Sequence, residues 1–235
     1  MSEIEQDIKK VVITFFAPPL NDKDSKNDEL RKKVKNSGRF DHGGYMFRTR
    51  EVYDTYRYGG AFPMFHYQDD QKMVQDLEDN PSKMFPKFAL GDGVESRQGI
   101  YHEVARKRLK AYDPDCPLDD LSFITLAYKA LEPEPVKELL DNWKTWTGAR
   151  AILEDFGDKV PIQEVIFFAR HYPADFDVFA YIVLLSFKNE PEAARWVLYY
   201  VQRLRVERWF GYSTVYAAAP SYRRHVGTPG TPADK

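Results

Sequence analysis

The sequence predicts a mainly α fold: antiparallel helical hairpins, helical-repeat-like, behind an extended, irregular, aromatic-rich N-terminal arm. Three observations lead there. The 235 residues are 43% hydrophobic and 30% charged, enough apolar surface to bury a core. From about residue 96 onward, apolar residues recur at spacings of three and four between Pro and Gly breaks. Before that point the chain is punctuated by Pro18-Pro19, Gly43-Gly44 and Gly59-Gly60, with Pro63, Pro81, Pro86, Gly91 and Gly93 following. The expected division is an arm over 1–95, a helical domain over 96–219 and a flexible Pro/Gly-rich tail over 220–235.

The elements follow in order. Val11-Val12-Ile13-Thr14-Phe15-Phe16 reads as a single β-strand that needs a partner. A short polar helix is expected over 25–35 with Ser25 as its cap, and another over 70–79 with Met73, Val74 and Leu77 on its apolar face. Residues 96–112 read as an amphipathic helix. Ile100, Tyr101, Val104, Ala105, Leu109 and Tyr112 form one face, and Arg106, Lys107, Arg108 and Lys110 a solvated other. Six further helices are expected. They start near Pro117, after Pro135, over 149–156 before Gly157, after Pro161, over 176–187, and from Pro191 toward Phe210. No single one of these can bury its apolar face alone, so they are expected to stack in pairs.

Composition narrows the function. Net charge is −2, so no global basic field points to nucleic acid. Cys116 is the single cysteine, which excludes an internal disulfide and suits a reducing intracellular compartment, the cytoplasm or the mitochondrial matrix side. The acidic N-terminus resembles neither a secretory signal nor an Arg-rich transit peptide. The longest apolar stretch, 178–187, falls short of the ~20 residues a membrane span requires.

No motif demands catalysis. Gly91-Asp92-Gly93 lacks the rest of a phosphate-cradling loop, and paired-cysteine and His-Glu-X-X-His metal patterns are absent. No cofactor, metal or catalytic residue is therefore assigned. Two trios hold the elements of an enzyme reading: His66 with Asp69 and Asp70, and His171 with Asp175 and Asp177. The first also reads as a helix start and the second as a polar helix–helix turn. The thiol of Cys116 sits between Asp115 and Pro117, where a carboxylate disfavours the thiolate.

The densest local pattern is residues 39–67, where arginines alternate with rings. Arg48, Arg50, Tyr53, Tyr56, Tyr58, Phe62 and Phe65 there, with Trp196, Arg205 and Trp209 near the C-terminus, are the expected partner-binding residues. The partners implied are other protein subunits. Peripheral membrane contact also suits Trp, Tyr and Arg, and single-stranded RNA is an alternative because rings and guanidinium groups stack on bases.

Leu131-Glu132-Pro133-Glu134-Pro135-Val136, then a helix, then Ala149-Arg150-Ala151-Ile152-Leu153-Glu154, resembles the soluble helical matrix subunit Va of cytochrome c oxidase. The match covers residues 119–160. It implies a superhelix of helices without an active site, hence an accessory structural subunit of a respiratory-chain assembly in the mitochondrion. The alternatives are a nucleocapsid-type RNA-binding protein and an enzyme built on one of the His/Asp trios.

Overall fold

The computed structural model describes residues 9–18, 26–40, 43–49, 62–130, 132, 134–157, 159–207 and 211–218. The element order is β1 (Lys10–Ala17), α1 (Lys26–Asn36), β2 (Tyr45–Thr49), β3 (Met64–Gln68), α2 (Gln71–Asp79) and β4 (Glu95–Arg108). Then come β5 (Leu121–Tyr128), α3 (Lys137–Asp141), α4 (Trp143–Trp146), α5 (Ala149–Phe156), β6 (Ile162–Tyr172), β7 (Tyr181–Lys188), α6 (Pro191–Glu207) and β8 (Gly211–Ala218). The described strands close into one antiparallel barrel in the order β1-β3-β2-β8-β5-β7-β6-β4.

That order contains a duplication. The first half runs β-α-β-β-α-β, and its strands lie in the order β4-β1-β3-β2. The second half repeats the pattern, with three short helices in its first crossover, in the order β8-β5-β7-β6. Each is a ferredoxin-like unit. Two seams join them. Thr49 of β2 pairs with Tyr216 of β8, and β4 pairs with β6 along most of its length. Closure leaves neither sheet with a free edge.

The helical-hairpin expectation is thus wrong, and the reason is physical. A barrel strand roofed by helices is buried on both faces, so its sequence is a continuous apolar run without alternation. Phe123-Ile124-Thr125-Leu126-Ala127-Tyr128 is such a run, with Phe123 turned to the lumen and Ile124 to the helices. The segments after Pro161 and over 176–187, read as helices, supply β6 and β7 for the same reason. β4 misleads differently. Register shifts at Ile100/Tyr101 and Glu103/Ala105 interrupt its period of two, which leaves apolar spacings of three and four. Helices do form at α1, α2, α5 and α6, and β1 is a strand flanked by β3 and β4. Asp70 caps α2 by accepting from the amides of Lys72 and Met73.

Outside the barrel, α1 packs Leu30 and Val34 on Phe16, Met46 and Met64, while α2 packs Val74 and Leu77 on Val12 and Ile100. α4, α5 and α6 cover the second half around Trp143, Ile152, Phe156, Val197 and Val201. No described helix is long and apolar enough to cross a membrane.

Candidate functional site

The lumen is the site candidate, because alternate residues of the described strands point into it. Register places them. Val11, Ile13, Phe15 and Ala17 of β1 lie opposite Tyr101, Gly99, Arg97 and Glu95 of β4. Phe123, Thr125 and Ala127 of β5 lie opposite Tyr216, Thr214 and Tyr212 of β8. Gly99 has no side chain because the ring of Tyr101 folds over it; an added Cβ would stand 2.8 Å from that ring.

Rings from both halves meet inside. Phe15 lies 5.6 Å from Phe62 and 5.1 Å from Phe179, both edge-on. Phe65 lies 4.6 Å from Phe47, stacked, and 4.6 Å from Tyr216, edge-on. Edge-on and offset pairs of this kind add modestly to the burial term.

Polar groups are set among those rings. At the end where β1 finishes, the hydroxyls of Tyr212 and Tyr216 stand 3.0 Å apart and both reach the carbonyl of Phe62, that of Tyr216 donating at 2.6 Å. The hydroxyl of Tyr101 donates to the carbonyl of Phe179 at 3.0 Å, and complete burial pushes its pKa well above the usual phenol range. Arg170, almost fully buried, donates to the carbonyls of Asp175 and Val178 and so pins the 173–180 connection across this end. Arg97 lays its guanidinium 4.9 Å from the centre of the Phe62 ring. It donates to the carbonyl of Asp177 at 3.2 Å and to Glu95 at 3.1 Å, while its buried Nε has no partner. Deeper in, Thr125 is fully buried and its Oγ1 has no partner either. The opposite end carries a charge-balanced cluster. Arg106 bonds Glu103 and Glu164 at 2.6 Å each, and Arg108 reaches Glu164 at 3.4 Å. Tyr67 lies near that cluster, and burial raises its phenol above the ordinary range.

The two His/Asp trios do not assemble. His66 is buried under the first half, facing the carbonyl of Gly43 at 2.9 Å, and burial lowers its pKa to about 4. Asp69 pairs with Lys9 and Asp70 caps α2. His171 bonds Glu78 at 2.8 Å and stacks on His102 at 4.4 Å, whereas Asp175 accepts from the amide of Asp177, and Asp177 pairs with Lys87 and Lys129. No group of three or more His, Cys, Asp or Glu among the described residues is arranged to hold a metal ion. Cys116 lines an open recess with Asp113, Asp120 and Lys188, and partial burial raises its thiol pKa.

The expected partner-binding residues are scattered. Phe62 and Phe65 are lumen rings, 4% and 1% exposed, and so offer no surface for stacking bases. Arg48 lies on β2 opposite Met64. Arg205 ties α6 to β8 through the carbonyl of Ser213 at 2.6 Å. Trp196 is exposed on α6 with Lys159 over its ring. Arg50, Tyr53, Tyr56, Tyr58 and Trp209 lie outside the described residues. Sequence reasoning missed Arg97, Thr125, Tyr212 and Tyr216. The one available signal was a hydroxyl in the centre of the apolar run 123–128.

A search of curated proteins found no match. A solved structure described as "Crystal structure study of anthrone oxidase-like protein" is similar with a TM-score of 0.51 at 12% identity, covering 91% of this chain and 92% of that one. That likeness shows a shared fold alone. Chlorite dismutase from Candidatus Nitrospira defluvii in complex with imidazole aligns with a TM-score of 0.37 at 11% identity, covering 92% and 93%. The barrel overturns the resemblance to cytochrome c oxidase subunit Va, and with it the helical-repeat, mitochondrial and respiratory-chain readings, since residues 121–128 of the matching segment are a barrel strand. A family profile matches residues 47–218, from within β2 to the last residue of β8. The chain therefore belongs to the family described as "Domain of unknown function (DUF7153)".

Proposed function

We propose that the barrel is a small-molecule site of enzyme type, and that its lumen takes one planar, largely apolar molecule. One observation carries this: a lumen lined by rings from both halves also holds a fully buried hydroxyl, Thr125, and a buried guanidinium nitrogen, Arg97 Nε, that the protein leaves unpaired. A buried polar atom without a partner costs about 1–3 kcal/mol, so two of them in one lumen call for an explanation outside the protein's own bonding. Eight-stranded barrels have room for packed side chains or one small ligand.

The roles follow from position. The rings hold a flat molecule by stacking and edge contacts. Arg97 is fixed from two sides, so its Nε offers a pre-aimed donor. The paired phenols of Tyr212 and Tyr216 are proton-bearing groups at the same end, both in reach of the carbonyl of Phe62. These assignments replace the accessory-subunit reading, whose basis was that the rings of the first half are covered by other chains; Phe40, Phe47, Phe62 and Phe65 are covered by this one.

Calorimetric titration with naphthalene-sized planar aromatics tests the reading. One-to-one binding by the wild-type chain is expected, weakened at least tenfold, on the order of one hot-spot contact, by Phe65→Ala. An absence of binding across such a panel would contradict it.

A further inference from the structure

We infer that the lumen ligand is a neutral aromatic carrying a hydroxyl or carbonyl oxygen, and that Thr125 is the residue that recognises this oxygen. The inference rests on the small-molecule reading above and adds the ligand's polarity to it.

Three features carry it. Thr125 Oγ1 is sealed from water in the lumen and meets no donor or acceptor of the protein. A hydroxyl both donates and accepts, so either a ligand hydroxyl or a ligand carbonyl satisfies it. Its inward neighbours mix large and small side chains: Leu184 lies opposite on β7 and Phe123 precedes it on the inward face of β5. Ala127 is the next inward residue along β5, Thr214 lies opposite on β8, and the Oγ1 atoms of Thr214 and Thr49 are 3.5 Å apart. Hydroxyl-bearing side chains from β2, β8 and β5 therefore form a short polar row on a wall otherwise made of rings.

The charges at both ends decide the ligand's charge. Arg97 is paired with Glu95 at one end, and Arg106 with Glu103 and Glu164 at the other. Arg170, at the same end as Arg97, is held by the carbonyls of Asp175 and Val178, so each of these guanidinium groups already bonds protein acceptors, and a carboxylate carried into this lumen would lose its hydration for a cation it must share. A neutral oxygen needs only the hydrogen bond that Thr125 offers.

Titration calorimetry with naphthalene, naphthol and naphthoate, on the wild-type chain and on Thr125→Val and Thr125→Ser, separates the possibilities. Naphthol is expected to bind about fivefold more tightly than naphthalene, the size of one neutral hydrogen bond, and naphthoate less tightly than naphthol. Thr125→Val should remove the preference for naphthol over naphthalene, and Thr125→Ser should retain it. Equal binding of naphthol and naphthalene to the wild type, or a preference that survives Thr125→Val, overturns the inference and leaves the small-molecule reading standing. Preferred binding of naphthoate also overturns it. If none of the three binds, both fall. If Thr125→Val changes the affinity for none of the three, the hydroxyl takes no part in binding, which again overturns it.

Discussion

The two halves of the barrel share a topology and differ in what covers them. In the first, α1 and α2 roof the strands through two small, separate clusters, one around Phe16, Phe40 and Met64 and the other around Val12, Val74 and Leu77. In the second, α4, α5 and α6 close a single large cluster in which Trp143 stacks on Phe167 at 4.9 Å and Tyr200 meets Phe156 at 4.9 Å. The first half also buries a histidine under its roof; the second has an aromatic stack instead. The single larger cluster is expected to make the second half the stiffer wall, with local opening expected first in the other. The lumen between them belongs to both.

The largest expected effect tests the second half's roof. Trp143→Ala removes a ring that is only 6% exposed, and it should cost about 4 kcal/mol in urea unfolding with an unchanged slope. A loss below about 1 kcal/mol, the scale of an ordinary surface change, would show that this cluster is not the stronger roof.

His66 comes next and tests the first half. Its folded-state pKa of about 4 lies below the ordinary 6.5 because burial disfavours the charged ring. The unfolded chain then binds the proton more readily, so stability falls as pH drops from about 6.5 toward 4 and is insensitive to this group above that window. The full difference is about 3 kcal/mol. His102 is shifted in the same direction, by burial and by the stacked His171, and adds to the same slope. Unfolding midpoints between pH 7 and 5, above the range of most carboxylates, should decline for wild type and decline less for His66→Phe. Parallel declines would remove His66 as the cause.

Gly44→Ala probes the same roof from the backbone. Gly44 has φ +79°, and a Cβ there would stand 2.4 Å from the carbonyl oxygen of Tyr67 and 2.7 Å from His66 Nε2. A loss of about 2 kcal/mol is expected in thermal unfolding; a neutral substitution would mean that the β2–β3 pairing yields easily. Glu78→Gln is smaller. Glu78 accepts from Lys10 at 2.7 Å and from His171 at 2.8 Å, and so fastens α2 to β1 and to the end of β6. About 1 kcal/mol should be lost, since the group is partly screened. Amide exchange orders the two seams without mutation. Among the described residues β2 meets β8 over residues 47–49, whereas β6 runs along β4 from Ile100 to Arg108, so these β2 amides should exchange faster than those of β6.

The comparison also explains what was legible in the sequence. α2 announced itself through Asp70 and the spacing of Val74 and Leu77, and α6 through Val197, Val201 and Leu204, because each has one wet face. β5, β6 and β7 have no wet face, and a run such as Ile182-Val183-Leu184-Leu185 carries no periodicity to separate strand from helix. The duplication was hidden because pairing order is a long-range property that local spacing does not record. The candidate site was hidden for a related reason. Arg97 reads as one charge among many until register sets it opposite Phe15, inside the barrel. Thr125 alone left a local signal, a polar residue in an apolar run, and it too was missed.

The central claim is that an aromatic molecule occupies the space between the two halves with its oxygen at Thr125. Isotope-edited nuclear Overhauser spectroscopy on the chain with bound naphthol tests this most directly. Cross-peaks from the naphthol ring protons to the Thr125 methyl group and to the rings of Phe65 and Tyr216 are the expected result. Cross-peaks only to outward residues such as Trp196 or Tyr199, with none to Thr125, would contradict it.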